Sequence, residues 1–187
     1  INLYEALDWN IPRFAHVPMI LGADGSRLSK RHGAVNLMSY RDAGFLPKAL
    51  LNYIVRLGWS HGDQEIFSVD EMINLFELEK INKSPASFNQ EKLDWINHSY
   101  IKTTEINELV SELEWHLNKL SIDLSDGPDI KEVVEVLRDR SKSLVDMAKN
   151  CVMFYHDFEI YCTGDHTDFF FNSYGEGVDI RDLADLD

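Results

Sequence analysis

Arg27, Leu28, Ser29, Lys30 and Arg31 put three cations and a hydroxyl into five consecutive residues, inside the glycine-bearing stretch "GADGSRLSKRHGAV" (Gly22–Val35). Positive charge at that density, on a loop that Gly22, Gly25 and Gly33 leave free to move, suits a polyanion. The rest of the chain sharpens the contrast. Its 187 residues carry a formal net charge of -14, yet residues 1–60 hold seven Lys/Arg against four Asp/Glu, whereas residues 61–187 hold eleven against twenty-eight. A polyanionic ligand would choose the first third. The common phosphate cradles are absent, since the loop lacks the G-K-[ST] ending of a P-loop and the chain contains no G-x-G-x-x-G. Cys151 and Cys162 match neither C-x-x-C redox spacing nor zinc-ligand spacing and are expected to be reduced and structural, and the seven histidines form no H-x-x-x-H pair. No metal site is expected from this chain alone.

The elements that must hold this loop are legible as periods and caps. Val17–Leu21 is a strand-like apolar run that breaks at Gly22. Asn36 is placed to cap a short helix ending near Gly44. Pro47 then sits where a first-turn proline is tolerated, and Leu46, Leu50, Tyr53, Ile54 and Leu57 mark one apolar face. Ser68 and Glu71 have the spacing of a capping box. Asn89 should cap a helix through Leu93 and Ile96, and Thr104 a longer one through Leu109, Leu113 and Leu117. Asp129 and Glu132 open another ahead of Val133, Val134 and Leu137, and Leu144, Val145, Ala148, Val152 and Tyr155 continue the helical period. The fold class is therefore mainly α from about residue 47 onward. "LSDGPD" is the best internal boundary. The last stretch mixes Phe169, Phe170 and Phe171 with glycines and acids and has no clear period, so loose packing or an incomplete domain is expected there. No apolar run approaches the roughly 20 residues that span a bilayer. "INLYEALDWN" has no signal-peptide pattern and looks like the middle of a fold, and a cytoplasmic location is expected.

The pentad Arg27–Arg31 resembles the KMSKS signature of class I aminoacyl-tRNA synthetases, with Arg27 at the first lysine position, Leu28 at the methionine and Lys30 at the second lysine. The longer run "HVPMILGADGSRLSKRHGAVNLMSYRDAGFLPKALLNYIVRLGWSHGDQEIFS" (residues 16–68) is similar to bacterial glutamyl-tRNA synthetases through nearly its full length. Weaker similarity continues at "INKSPASFNQEKLDWINHSYI" and "VVEVLRDRSKSLVDMAKNCVMFYHDFEIY" and fades after about Tyr161.

This resemblance implies a layout: residues 1–33 as the end of a class I catalytic domain with its signature loop, 34–125 as the connecting region that contacts the tRNA stem, and 126–187 as the start of an all-helical anticodon-binding domain. It implies glutamate, ATP with Mg²⁺, and tRNA(Glu) as partners of a complete, monomeric, membrane-free enzyme. Lys30 would be the catalytic residue, and Arg27, Leu28, Ser29, Lys30 and Arg31 the loop that meets ATP. The family's other signature, HIGH, has no match in this sequence. The chain is therefore expected to be inactive alone, with its glutamate and adenine pockets upstream.

Arg41, Lys48 and Arg56 are candidates for the tRNA backbone, and Arg138, Arg140 and Lys142, the basic cluster of the acidic part, are candidates near the anticodon stem. Trp59 and Tyr53 are expected in the core, and His61 and Asp63 in a turn without catalysis. Two other readings compete: a tRNA-binding module without chemistry, and a related glutaminyl- or glutamyl-queuosine-type enzyme. The helical pattern of residues 129–155 fits neither of those relatives.

Overall fold

A computed structural model describes residues 1–22, 24–28, 36–125 and 127–155, together with the backbone of 159–163, 167–171 and 177–179. In chain order the elements are α1 (Asn2–Ala6), β1 (Ile20–Leu21), α2 (Leu37–Asp42), α3 (Pro47–Gly58), α4 (Val69–Leu75), a 3-10 turn (Leu78–Lys80), β2 (Ala86–Ser87), α5 (Gln90–Thr103), α6 (Ile106–Lys119), α7 (Ile130–Leu137), α8 (Leu144–Tyr155), β3 (Glu159–Thr163), β4 (Thr167–Phe171) and β5 (Gly177–Asp179).

Helix starts follow local chemistry, because the first amides of a helix have no partner within it and a short side-chain oxygen can accept from them. Asn36 accepts from the Met38 amide, Asn89 from Lys92 and Asp129 from Lys131. Ser68 and Glu71 form the reciprocal capping box. Pro47 occupies the first turn of α3. The start of α6 differs from expectation: Glu105, not Thr104, accepts from the Asn107 and Glu108 amides. Thr104 instead closes α5, its hydroxyl donating to the Tyr100 carbonyl at 2.7 Å. With α5 and α6 abutting, adjacent residues divide the two capping tasks.

One apolar core joins α3, α5, α6, α7 and α8. It holds Leu50 and Tyr53 of α3, Leu93 and Ile96 of α5, Leu109 and Leu113 of α6, Val133 and Val134 of α7, and Met147 and Cys151 of α8. This core crosses the "LSDGPD" loop, so α6 and α7 belong to the same packed body. Ile54, expected on the buried face, is 49% exposed, one position round the helix from Tyr53. Cys151 is a free thiol that burial pushes up to about 12, which leaves it inert at neutral pH. A smaller cluster gathers Trp59, Phe67 and Met72.

Polar groups in the interior are satisfied across elements. Asn97 of α5 accepts from the Leu46 amide at 2.8 Å and donates to the carbonyls of Lys142 at 2.8 Å and Gly44 at 3.3 Å, tying α3 and the approach to α8 onto α5. Asn52 of α3 accepts from the Phe67 amide at 2.8 Å and donates to the Glu65 carbonyl at 2.9 Å. Among the described residues, no helix is long and apolar enough to cross a membrane.

The helical expectation for the end of the chain is corrected beyond Tyr155. Strands β3, β4 and β5 form a three-stranded antiparallel sheet in that order, Tyr161 opposite Phe169 and Phe170 opposite Val178. Aromatic and β-branched residues such as Tyr161, Thr163 and Phe169 favour a pleated strand once they recur in closely spaced short segments.

Candidate functional site

The cationic loop springs from a narrow, well-bonded base. β1 runs parallel to β2, with the Ala86 amide donating to the Met19 carbonyl at 3.0 Å and the Phe88 amide to the Leu21 carbonyl at 2.8 Å. Past Leu21 the chain doubles back on itself: the Gly22 amide donates to Ser26 at 2.8 Å, and the Leu28 amide returns to Ile20 at 2.9 Å. Gly25 turns this corner at φ +75°, a conformation that favours glycine, and the Asp24 carboxylate accepts from both the Ser26 amide and hydroxyl. Arg27 emerges exposed from this base.

Leu28 is the last residue of the pentad that the structure describes. It is half-buried and lines a cavity of about 280 Å³ together with Leu37, Tyr40, Leu50, Tyr53 and Phe88. Asn36, where the described chain resumes, lines the same cavity. Ser29, Lys30 and Arg31 lie outside the described residues. The wall behind the cavity is fixed by Tyr53, whose hydroxyl accepts from the Asn89 amide at 2.7 Å and donates to the Asn89 carbonyl at 3.0 Å, so the start of α5 is tied to α3 directly beside β2.

The structure sorts the other cations by what they touch. Arg41 lies 4.3 Å over the ring of Trp115, with its side chain about half exposed. Lys119 approaches the same ring at 4.9 Å. Neither Trp115 nor Lys119 was singled out in the sequence, although their four-residue spacing places them on one face of α6. The buried His116 beside them is pushed down, first by burial and then by the positive charges of Lys119 and Arg41. Lys48 pairs with Glu108 at 2.6 Å, and both side chains remain substantially exposed. Arg140 and Lys142 are exposed past the end of α7.

Arg56 and Arg138, two of the candidate RNA contacts, are engaged by partners within the fold. The Arg56 side chain is only 11% exposed, and it grips Glu65 through two bonds, Nε to Oε2 at 3.0 Å and Nη2 to Oε1 at 2.8 Å. Arg138 donates to the carbonyls of Ile101 at 3.1 Å and Thr104 at 2.7 Å, bracing the turn between α5 and α6, and also pairs with Glu135.

Glu65 records the strength of its pairing. The Arg56 guanidinium, with Lys92 Nζ at 2.8 Å adding to it, holds the carboxyl down at about 2 from its ordinary 4.5. A depressed carboxyl contributes stability that is present above its unfolded value and lost as pH falls through the folded one. Glu65→Gln should therefore be less stable than wild type at neutral pH, and the difference in urea midpoint should shrink steadily below pH 4.5 toward about 2. A difference that persists unchanged through that window would show that the charge is not what stabilises the contact.

Trp59 and Tyr53 are core residues, each 1% exposed. His61 and Asp63 flank Gly62, which turns at φ +54°, and His61 stacks on Trp59 with ring centroids 5.9 Å apart. Among the described residues, no group of three or more His, Cys, Asp or Glu side chains is arranged to hold a metal ion.

The family described as tRNA synthetases class I (E and Q), catalytic domain, matches residues 1–95. The glutamate–tRNA ligase of Ruthia magnifica subsp. Calyptogena magnifica is 59% identical over 161 residues, covering 86% of this chain and 36% of that protein. The glutamate–tRNA ligase of Francisella tularensis subsp. holarctica (strain LVS) is 57% identical over 157 residues, covering 84% of this chain and 34% of that protein. A crystal structure of a glutamate tRNA ligase from Elizabethkingia meningosepticum CCUG26117, in complex with its amino acid, superposes with a TM-score of 0.66 at 31% identity, over 83% of this chain and 35% of that one. The chain thus spans about a third of the length of the relatives it matches.

Proposed function

Because the chain belongs to the class I tRNA synthetases of the E and Q group, we propose that it is part of a glutamate–tRNA ligase, which activates glutamate with ATP and transfers it to tRNA(Glu). The observation that carries this reading is 59% identity over 161 residues to a protein of that name. In this reading residues 1–33 close the catalytic domain, residues 34–125 connect it to the tRNA stem, and residues 126–187 begin the anticodon-binding part.

Activation joins the glutamate carboxylate to the α-phosphate of ATP and expels pyrophosphate, so negative charge grows on the departing oxygens as the bond breaks. A positioned ammonium there stabilises the transition state more than the ground state. Lys30 takes that role. Arg27 and Arg31 draw the polyphosphate toward the loop, and Leu28, seated in its apolar cavity, fixes where the loop leaves the body. Magnesium would accompany the triphosphate and offset its charge; no ligand for it is assigned among the described residues. Arg41, Lys48, Arg140 and Lys142 remain candidate phosphate contacts, all on exposed positions.

The test uses the complete ligase. It should support glutamate-dependent ATP–pyrophosphate exchange and charge tRNA(Glu) with glutamate, while the isolated 187-residue chain does neither. Charging by glutamine in place of glutamate would transfer the assignment to the glutaminyl branch.

A further inference from the structure

Residues of the segments 13–18 and 78–83 together line an open cleft of about 530 Å³. Its charged lining is Arg13 and Lys83 against the single carboxylate of Glu79, with His16 and Asn82 beside them. Contacts with the end of α3 hold the cleft, and the Arg13–Glu79 pair links its two walls. The Asn82 amide donates to the Gly58 carbonyl at 2.8 Å, Ile81 bridges to Trp59, and Pro18 packs against Gly58. Both walls are therefore anchored to the end of α3.

The charges on these walls are available. Lys83 is exposed and has no carboxylate partner among the described residues. Arg13 spends one nitrogen on Glu79 at 2.6 Å, with side chains 76% and 68% exposed. Such an exposed pair is weakly held, and the guanidinium keeps further donors for another acceptor. Residues 1–60 hold seven Lys/Arg against four Asp/Glu in a chain of net charge -14, so a trough walled on one side by Arg13 of that stretch and on the other by the exposed Lys83 is a place where phosphate is tolerated. Its breadth and exposure suit a polymer backbone, which brings several phosphates past one surface, better than a small free anion, which needs enclosure to be held.

We propose that the cleft between residues 13–18 and 78–83 is an RNA backbone subsite, in which Arg13 and Lys83 contact tRNA phosphates. The inference rests on the reading of this chain as part of a tRNA-charging enzyme and adds residues that lie apart from the cationic loop.

The experiment takes the complete ligase and its Lys83→Gln and Arg13→Gln variants, and measures tRNA(Glu) retention on filters at several salt concentrations between about 50 and 200 mM. Each variant should bind tRNA about three- to ten-fold more weakly at low salt, and the slope of log affinity against log salt should become shallower by roughly one. The KM for ATP in pyrophosphate exchange should stay unchanged. Lys83→Gln breaks no ion pair among the described residues, so its result stands even if Arg13→Gln disturbs the local fold through Glu79. Wild-type affinity and slope in both variants would overturn the subsite. A raised KM for ATP with an unchanged tRNA slope would also overturn it, by assigning the cleft to the nucleotide. Failure of the wild-type ligase itself to retain tRNA would instead overturn the proposed function.

Discussion

Replacing Lys30 by alanine in the complete ligase is expected to lower the rate of glutamyl-adenylate formation by about 10²- to 10³-fold, the scale on which a single preorganised transition-state donor acts. Three features of the chain converge on this residue. It is the second lysine position of the signature-like pentad, it sits among the cations of a first third that is net basic, and it follows by two residues a leucine that lines an apolar cavity. The loss should fall on kcat, with the KM for glutamate little altered, because in the proposed role the ammonium meets charge that develops only as pyrophosphate departs. Arg27→Ala should weaken ATP binding more than it slows the chemical step, since a cation attracting the polyphosphate acts on ground and transition states alike. Single-turnover measurement of adenylate formation separates the two. An unchanged rate for Lys30→Ala would remove the loop from the chemistry while leaving the family assignment intact.

What the sequence revealed and what it concealed follow from the range of the interactions involved. Caps at Asn36, Ser68, Asn89 and Asp129 are legible because donor and acceptor lie within three residues of each other. The single slip, Glu105 for Thr104, came where two helices meet without a loop and both residues carry side-chain oxygens. Long-range commitments left no local trace. Nothing in the residues around Arg56 announces Glu65 as its partner nine positions on, and nothing around Asn97 announces the carbonyls of Gly44 and Lys142. Arg138 looked like one of three equivalent cations, yet only its neighbours Arg140 and Lys142 are exposed; the backbone at Ile101 and Thr104 claims Arg138. For the candidate site, residue type and order single out the loop as a candidate, while the cavity under Leu28 and the cleft at Lys83 needed the fold, since each is walled by segments distant in sequence.

Gly44→Ala should be among the most destabilising single substitutions in the 187-residue chain. Gly44 sits just past α2 at φ +85°, where an L side chain costs roughly 1–2 kcal/mol through its contact with the following carbonyl. A Cβ there would also lie 2.5 Å from the Val145 amide nitrogen and 2.8 Å from that of Leu144. Both are backbone atoms at the start of α8, so no rotamer change relieves the contact. Overpacking of this kind typically adds about 1–3 kcal/mol. Movement of the segment would also strain the Leu144 amide bond to the Gly44 carbonyl at 2.9 Å and the Asn97 bond to the same oxygen. A total near 2–5 kcal/mol is a large share of the roughly 5–15 kcal/mol that stabilises an ordinary domain. Gly25→Ala supplies the comparison, because Gly25 has a similar φ of +75° but nothing within 4 Å of its Cβ position. It should lose only the backbone part, so the drop in urea midpoint for Gly44→Ala should be roughly 1.5 to 4 times that for Gly25→Ala, on the separate costs of backbone strain and overpacking. Equal losses would mean that α8 yields without cost at this junction, and that the contact between Gly44 and Leu144 does not hold the helices in register.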